Sequence, residues 1–486
     1  MSRSIRRVAA VFALLLVALM VNVTVIQVLL AGDYRNGPGN QRVQREEYRV
    51  ERGPILVGAD PIARSVETPN SLRYLRVYQD GPMNVSATGF YSIIYGATGL
   101  ERTENDILSG SADLFFVDRL EQLIAGRQPK GGGVTTTLDY RTQRAAWQGI
   151  RGVIGAVVAL EPGTGRILAL VQSPSFDPNR LSSHDTADIR AYYDELLADP
   201  SQPMLNRPLV MTQPPGSTFK VVTAAAALTS GRFTPTSVLP GPAEYDLPLS
   251  TKTLRNWTGA ECGPNGQVTL SEALAQSCNT AFAWLGNELG AEALRAQAQA
   301  FGFDTAFDIP LRAAESVFPA DPDAPETAMS AIGQFDVRAT ALQMAMVAAA
   351  VGNNGMVMRP YLVQEIRGPD LSILRTTQPQ EYGRALSPEN ANALSDMMVG
   401  VVERGTATVL AGITDRDGVQ ISVGAKTGTA QTSEDRPPVA WMIAMAPAVN
   451  PQVAVAVMVE GGGDDEISGN AIAGPVARAV IEAALR

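Results

Sequence analysis

Residues Val8 to Ala31 form 24 consecutive uncharged positions, most of them apolar, preceded by Arg3, Arg6 and Arg7. A secretory core segment runs roughly 7–15 residues, whereas a spanning helix needs roughly 20. The stretch is therefore expected to be an uncleaved anchor, with the arginines inside and the remainder outside. The competing reading is a signal peptide cleaved near Ala31-Gly32. Under either reading, everything from Asp33 onward folds outside the cytoplasm. The residues available there narrow the chemistry further. The chain has 486 residues, 45% hydrophobic, with 44 Gly and 32 Pro, which suits two or more globular domains. A net charge of −10 argues against a nucleic-acid partner. With one histidine, His184, and two cysteines, Cys262 and Cys278, neither a structural zinc site nor a His-Glu-x-x-His metalloprotease can be assembled. No Gly-x-Ser-x-Gly elbow or phosphate-cradling glycine loop is present. No metal and no cofactor are expected, and His184 reads as a surface residue.

Asp33 to Gln44 reads as a short polar tether. From Tyr48 to Lys130, short apolar runs are broken by Gly, Pro, Asn and Asp, which predicts a strand-rich region with one helix near Asp113 to Ala125. Pro129-Lys130-Gly131-Gly132-Gly133 has the composition of a hinge. Two apolar arms, 156–160 and 166–171, flank the turn Glu161-Pro162-Gly163-Thr164-Gly165 and predict a hairpin in a sheet covered on both faces. Trp441–Ala446 and Val453–Val459 predict a second hairpin, turning at Asn450-Pro451. Between them, Thr269-Leu270-Ser271-Glu272 is a capping box opening a helix that runs to about Ser277. Further helices are expected over Thr340–Val351, Pro388–Glu403 and Gly474–Arg486.

The stretch Gln213-Pro214-Pro215-Gly216-Ser217-Thr218-Phe219-Lys220 reads as a turn feeding an alanine-rich helix. Ser217 and Lys220 then share one helix face. A serine hydroxyl becomes a nucleophile when a neighbour takes its proton, and a lysine of depressed pKa can do so. Alone, the pattern also fits an N-cap serine beside a solvated lysine. Two further motifs follow in order, Ser277-Cys278-Asn279 and Lys426-Thr427-Gly428. Ser468-Gly469-Asn470 also fits Ser-x-Asn, but it lies after the lysine motif and reads as a loop.

This trio resembles the active site of penicillin-binding proteins and serine β-lactamases. The resemblance extends from about Arg52 to the C-terminus. Arg52-Gly53-Pro54-Ile55, Gly99-Leu100-Glu101 with Leu108 and Gly110, Thr136-Thr137-Leu138-Asp139 with Gln143, Gly333-Gln334 with Thr340–Ala345, and Gly405-Thr406-Ala407 are similar to class B penicillin-binding proteins. Phe335 stands where a glycine is commoner in that family. About residues 33–150 leave too little room for a glycosyltransferase domain, and the chain most resembles the actinobacterial penicillin-binding protein A type.

The resemblance implies an α/β (α+β) transpeptidase fold, with a central antiparallel sheet and helices on both sides. Expected segments are a cytoplasmic tail, 1–7, an anchor, 8–31, a juxtamembrane domain, 32–133, and a transpeptidase domain, 134–486. It implies Ser217 as nucleophile, Lys220 as base, Ser277 as proton relay, and Asn279 as holder of Lys220 and the substrate amide. Lys426 supplies positive field, and Thr427 and Thr429 bind a carboxylate. Gly428 lets substrate lie against the strand. The backbone N–H groups of Ser217 and Thr429 form the oxyanion hole. The implied activity is D,D-transpeptidation of peptidoglycan stem peptides, inhibited by β-lactams, on a single-pass protein of the cell membrane. Implied partners are a multi-pass membrane glycosyltransferase and divisome proteins. The alternatives are a β-lactamase and a non-catalytic β-lactam sensor or septal scaffold. Cys262 and Cys278, both outside the membrane and between the second and first motifs, are expected to pair; the alternative is two buried free thiols.

Overall fold

The two apolar arms that flank the turn Glu161–Gly165 pair antiparallel as Ile154–Leu160 and Ile167–Ser173 in the computed structural model. It describes residues 3–30, 48–116, 124, 130–431, 437–461 and 468–486. The second expected hairpin, Val439–Ala446 with Val453–Glu460, joins the first through Val453–Glu460 against Ile154–Leu160. Gly424–Ala430 adds at the edge beside Val439–Ala446. The result is a five-stranded antiparallel sheet built from both ends of the region. Every residue of Val439–Ala446 is buried, so both faces are covered and the strand shows no polar alternation. The apolar helix Ala341–Gly352 packs on this sheet, as do Tyr140–Ile150 and Gly474–Ala484, which also pack on each other.

The N-terminal region holds a second sheet of six strands. Ile55–Val57, Asp60–Glu67 and Tyr74–Tyr78 are joined there by Gly133–Thr136, Val363–Arg367 and Ile373–Thr376. Strands from far along the chain thus complete this sheet. Two motifs of the sequence meet beneath it. Arg52 Nε and Arg76 Nε each lie 2.6 Å from a carboxylate oxygen of Glu101, with all three residues buried. Burial alone would raise the Glu101 pKa, but Arg76 and Arg52 outweigh it and hold the carboxyl below its ordinary value.

Three expectations change. The expected hinge is a close-packed crossing: Gly131, Gly132 and Gly133 are buried, and a Cβ on Gly132 would lie 2.5 Å from Arg367 O and 2.4 Å from the Phe115 ring. The glycines are there because backbones cross. The region expected to be strand-rich also carries helices at Gly81–Thr88, Gly99–Thr103 and Asn105–Leu108, too short to display a helical period. Of the helix expected near Asp113 to Ala125, a 3₁₀ turn at Asp113–Phe115 is described; most of the remainder, like the tether Asp33–Gln44, lies outside the described residues. His184 is half-buried, its Nε2 3.0 Å from Tyr74 O and its Nδ1 2.6 Å from Asn70 Nδ2. It fastens its loop to the N-terminal sheet. At the N-terminus, Ile5–Val28 is one helix long and apolar enough to cross a membrane.

Candidate active site

Ser217 sits in a 3₁₀ turn, Gly216–Phe219, that runs directly into the helix Lys220–Thr229. Gly216 has φ +52°, and a Cβ there would lie 2.7 Å from Thr429 O. The turn therefore rests on the edge strand Gly424–Ala430. Lys220, one residue into the helix proper, is fully buried. Its Nζ lies 2.7 Å from Ser277 O, 2.7 Å from Asn279 Oδ1 and 3.3 Å from Ser277 Oγ.

Ser277 owes its place to how the preceding helix ends. Leu270–Ala275 opens on Thr269, whose hydroxyl accepts from Glu272 N, and closes with Ser277 N donating to Leu274 O and Cys278 N to Ala273 O. That is a Schellman closure, whose left-handed residue is usually glycine. Here it is Ser277, at φ +61°. The next helix, Asn279–Leu289, has no cap from its own N-cap residue. Asn256 supplies one from 23 residues upstream: its Oδ1 accepts from Asn279 N at 2.9 Å and Thr280 N at 3.1 Å. Cys262 and Cys278 are joined by a disulfide, which fastens the same segment a second time.

Lys426 approaches from the edge strand, fully buried, its Nζ 2.9 Å from Ser277 Oγ and 3.0 Å from Thr427 O. Ser277 Oγ thus stands between two lysine nitrogens. Among the described residues neither lysine forms an ion pair. Burial therefore pulls Lys426 down to about 7. It pulls Lys220 well below the ordinary lysine value, with the Lys426 ammonium adding to the effect. As a neutral amine, Lys220 has two N–H groups, matched by Ser277 O and Asn279 Oδ1, and keeps a lone pair for accepting a proton. The cluster can take a proton from a nearby hydroxyl and hold an anion beside it.

Thr427 is buried with its hydroxyl 2.6 Å from that of Thr406, whereas Thr429 is exposed. Gly428 lies where that strand meets the Ser217 turn. A Cβ there would meet Pro215 O at 2.9 Å and Thr218 Cγ2 at 3.0 Å, so the glycine lets the Ser217 turn close against the strand. Ser468 caps the C-terminal helical segment by accepting from Ala471 N, and a Cβ on Gly469 would lie 2.2 Å from Trp441 O, so this second Ser-x-Asn is a structural support. Sequence reasoning missed Asn256 and Trp441. Trp441, cross-strand partner of Gly428, is fully buried.

Comparison with known proteins follows the same lines. Residues 155–482, more than half the chain, match the penicillin binding protein transpeptidase domain. Residues 52–134 match the penicillin binding protein A dimerisation domain. The chain is 47% identical over 498 residues to the peptidoglycan D,D-transpeptidase PbpA of Mycolicibacterium smegmatis, covering 100% of this chain and 99% of that one. It is 46% identical over 496 residues to PbpA of Mycobacterium tuberculosis, with the same coverage. The structure of penicillin-binding protein A from M. tuberculosis as a ceftriaxone acyl-enzyme superposes with a TM-score of 0.87 at 45% identity, covering 91% of this chain and 100% of that one. Its penicillin G acyl-enzyme gives 0.84 at 45% identity, covering 90% and 100%.

Proposed function

The chain belongs to the penicillin-binding protein transpeptidase family, and on that premise we propose how its residues divide the work of a peptidoglycan D,D-transpeptidase. The enzyme cross-links stem peptides through a serine acyl-enzyme and is acylated by β-lactams. Ser217 Oγ attacks the carbonyl carbon of the D-Ala-D-Ala bond while its proton passes to the Lys220 amine. The oxyanion is held by the backbone N–H groups of Ser217 and Thr429; one such donor is worth about 3 kcal/mol in the transition state. The C–N bond then breaks as the proton moves from Lys220 through Ser277 to the departing amine. D-Ala leaves, and an amine of a second strand attacks the ester to regenerate Ser217. Lys426, Thr427 and Thr429 hold the terminal carboxylate, and Asn279 holds the substrate amide.

The observation that carries this division is Ser277 Oγ standing 2.9 Å from Lys426 Nζ and 3.3 Å from Lys220 Nζ, with both lysines buried. Proton relay needs that arrangement, and a solvated surface lysine needs none of it. The reading includes a single-pass anchor at 8–31, supported by the apolar helix Ile5–Val28. It also includes a juxtamembrane domain at 32–133, a transpeptidase domain at 134–486 outside the cell membrane, and partnership with a multi-pass membrane glycosyltransferase and divisome proteins. The test is mass spectrometry after penicillin. The parent chain should carry one long-lived adduct on Ser217, and Ser217→Ala should carry none. An adduct on Ser217→Ala removes the assignment, and rapid release from the parent chain would make it a β-lactamase.

A further inference from the structure

Thr406 links the segment that delivers Ser277 to the strand that carries Lys426. Its backbone N–H donates to Ala275 O at 3.2 Å, two residues before Ser277, and a Cβ on Gly405 would lie 2.2 Å from the same carbonyl. Ala407 N donates to Val401 O at 3.0 Å, so the backbone around Thr406 is fastened twice. From there the Thr406 hydroxyl reaches the Thr427 hydroxyl at 2.6 Å. Thr427 is buried and Thr406 half-buried. Among the described residues neither hydroxyl has another hydrogen-bond partner. A hydroxyl carries one proton and two lone pairs, so the pair can be wired in two directions. If Thr427 donates to Thr406, its Oγ1 has only lone pairs left. If Thr406 donates to Thr427, the Thr427 proton is free to point elsewhere.

We propose that Thr406 is a positioning residue for anion recognition: its hydroxyl donates to Thr427 Oγ1 and so turns the Thr427 proton toward the terminal carboxylate of the acyl donor. An ionised carboxylate only accepts hydrogen bonds, and Thr427 can donate to it only when Thr406 is not taking that proton. A hydroxyl that accepts one bond donates a stronger one, so Thr406 strengthens the hold of Thr427 without touching the ligand. Lys426 brings charge to the same place, but its Nζ is bonded to Ser277 Oγ and Thr427 O, which leaves direction to the hydroxyl pair. This rests on the reading of Thr427 as a carboxylate ligand in acyl transfer to Ser217.

The experiment compares acylation of the full chain by penicillin G, which carries a carboxylate, and by its methyl ester, which carries none. The readout is the ratio of the two second-order rate constants. In Thr406→Val, which keeps the shape and removes the donor, the ratio should fall by about five-fold, the scale of one net hydrogen bond. Thr406→Ala should give the same ratio, and it replaces Thr406→Val if the added methyl group prevents folding. In Thr406→Ser the ratio should stay within roughly two-fold of the parent, since a donor remains. An unchanged ratio in the variants without a hydroxyl overturns the proposal. Both rates falling together would mean that Thr406 only braces the segment before Ser277. A ratio lost equally in Thr406→Ser also overturns it, because the methyl group and not the hydroxyl would then matter. If the parent is acylated no faster by penicillin G than by the ester, the carboxylate reading of Thr427 falls and this proposal with it. If neither compound labels the parent, the acyl-transfer reading falls as well.

Discussion

The indole N–H of Trp441 donates to the carbonyl of Pro214 across 3.0 Å, with both residues buried. This bond ties the strand beside Lys426-Thr427-Gly428 to the turn that carries Ser217. Two others brace the turn: Thr218 Oγ1 donates to Pro215 O at 2.6 Å, and Gly216 N to Gly333 O at 2.9 Å. The position of Ser217 relative to Thr429 is thus set by the sheet and not by the turn alone.

Trp441→Phe keeps most of the apolar volume and leaves the Pro214 carbonyl buried without a partner. The loss should be about 1–3 kcal/mol of stability. Acylation by penicillin should slow about ten-fold, because small displacements of a reacting group are costly. Thermal unfolding and labelling kinetics measure the two separately. A lower melting temperature with a full acylation rate would show that the turn holds its geometry without Trp441.

Ser277 occupies a left-handed position, φ +61°, for the sake of its hydroxyl. That conformation costs a non-glycine residue about 1–2 kcal/mol. Ser277→Gly and Ser277→Ala both remove the hydroxyl between Lys220 and Lys426, so both should lose about 100-fold or more in transpeptidation. Their stabilities should part: the glycine variant should be more stable than the alanine variant by about 1 kcal/mol. Urea unfolding of the pair decides it. Equal stabilities would mean the backbone relaxes out of the left-handed region once the hydroxyl is gone.

The lysine pair sets the pH dependence. Acylation needs Lys220 neutral and Lys426 charged. Lys220 is held well below the ordinary lysine value by burial and by Lys426, and Lys426 itself lies at about 7. Raising pH therefore first increases the rate as Lys220 loses its proton, then decreases it as Lys426 does. For the free enzyme the second-order acylation rate should be bell-shaped with its alkaline limb near 7. A bound carboxylate stabilises the Lys426 ammonium, so at saturating β-lactam that limb should move to higher pH. The apparent values belong to the pair and not to either lysine. Stopped-flow acylation from pH 5 to 10 checks the shape, and a flat profile would remove the lysine pair from proton transfer.

The reach of the sequence ends where groups meet across long separations. Ser217, Lys220, Ser277, Asn279 and Lys426 were legible because each lies in a short pattern, and the hairpins were legible because their arms are apolar and their turns carry Gly and Pro. Asn256 has no local signal: it caps a helix that begins 23 residues later. The glycines at 131–133 look the same in sequence whether they permit motion or close packing, and only Arg367 O and Phe115 show which. Phe335 holds φ +60°, so the loop takes a glycine-like backbone with a phenylalanine. Gly333 N bonds Ser330 O, Gln334 N bonds Met329 O, and the Phe335 carbonyl takes Arg338 Nη1 at 2.7 Å, so the surrounding bonds over-determine the loop.

The bridge between Cys262 and Cys278 closes a loop with a sequence separation of 16. In the chain-entropy model such a loop is worth about 3 kcal/mol. Both sulfurs are buried, and Cys278 stands between Ser277 and Asn279. Titration of thiols in the denatured, unreduced protein should find none; two would sink the bridge. Cys262→Ala with Cys278→Ala should lower stability by roughly 3 kcal/mol. Its effect on acylation should be much smaller than that of Ser277→Ala, because Asn256 still holds the Asn279 and Thr280 amides. Adding Asn256→Leu to the double variant removes the second fastening. If the two fastenings act on the same segment, acylation should then fall by more than the product of the separate losses. Independent losses would mean that the disulfide and Asn256 hold different parts of the loop, and that Asn279 keeps its place through its own bonds to Lys220 and Arg255.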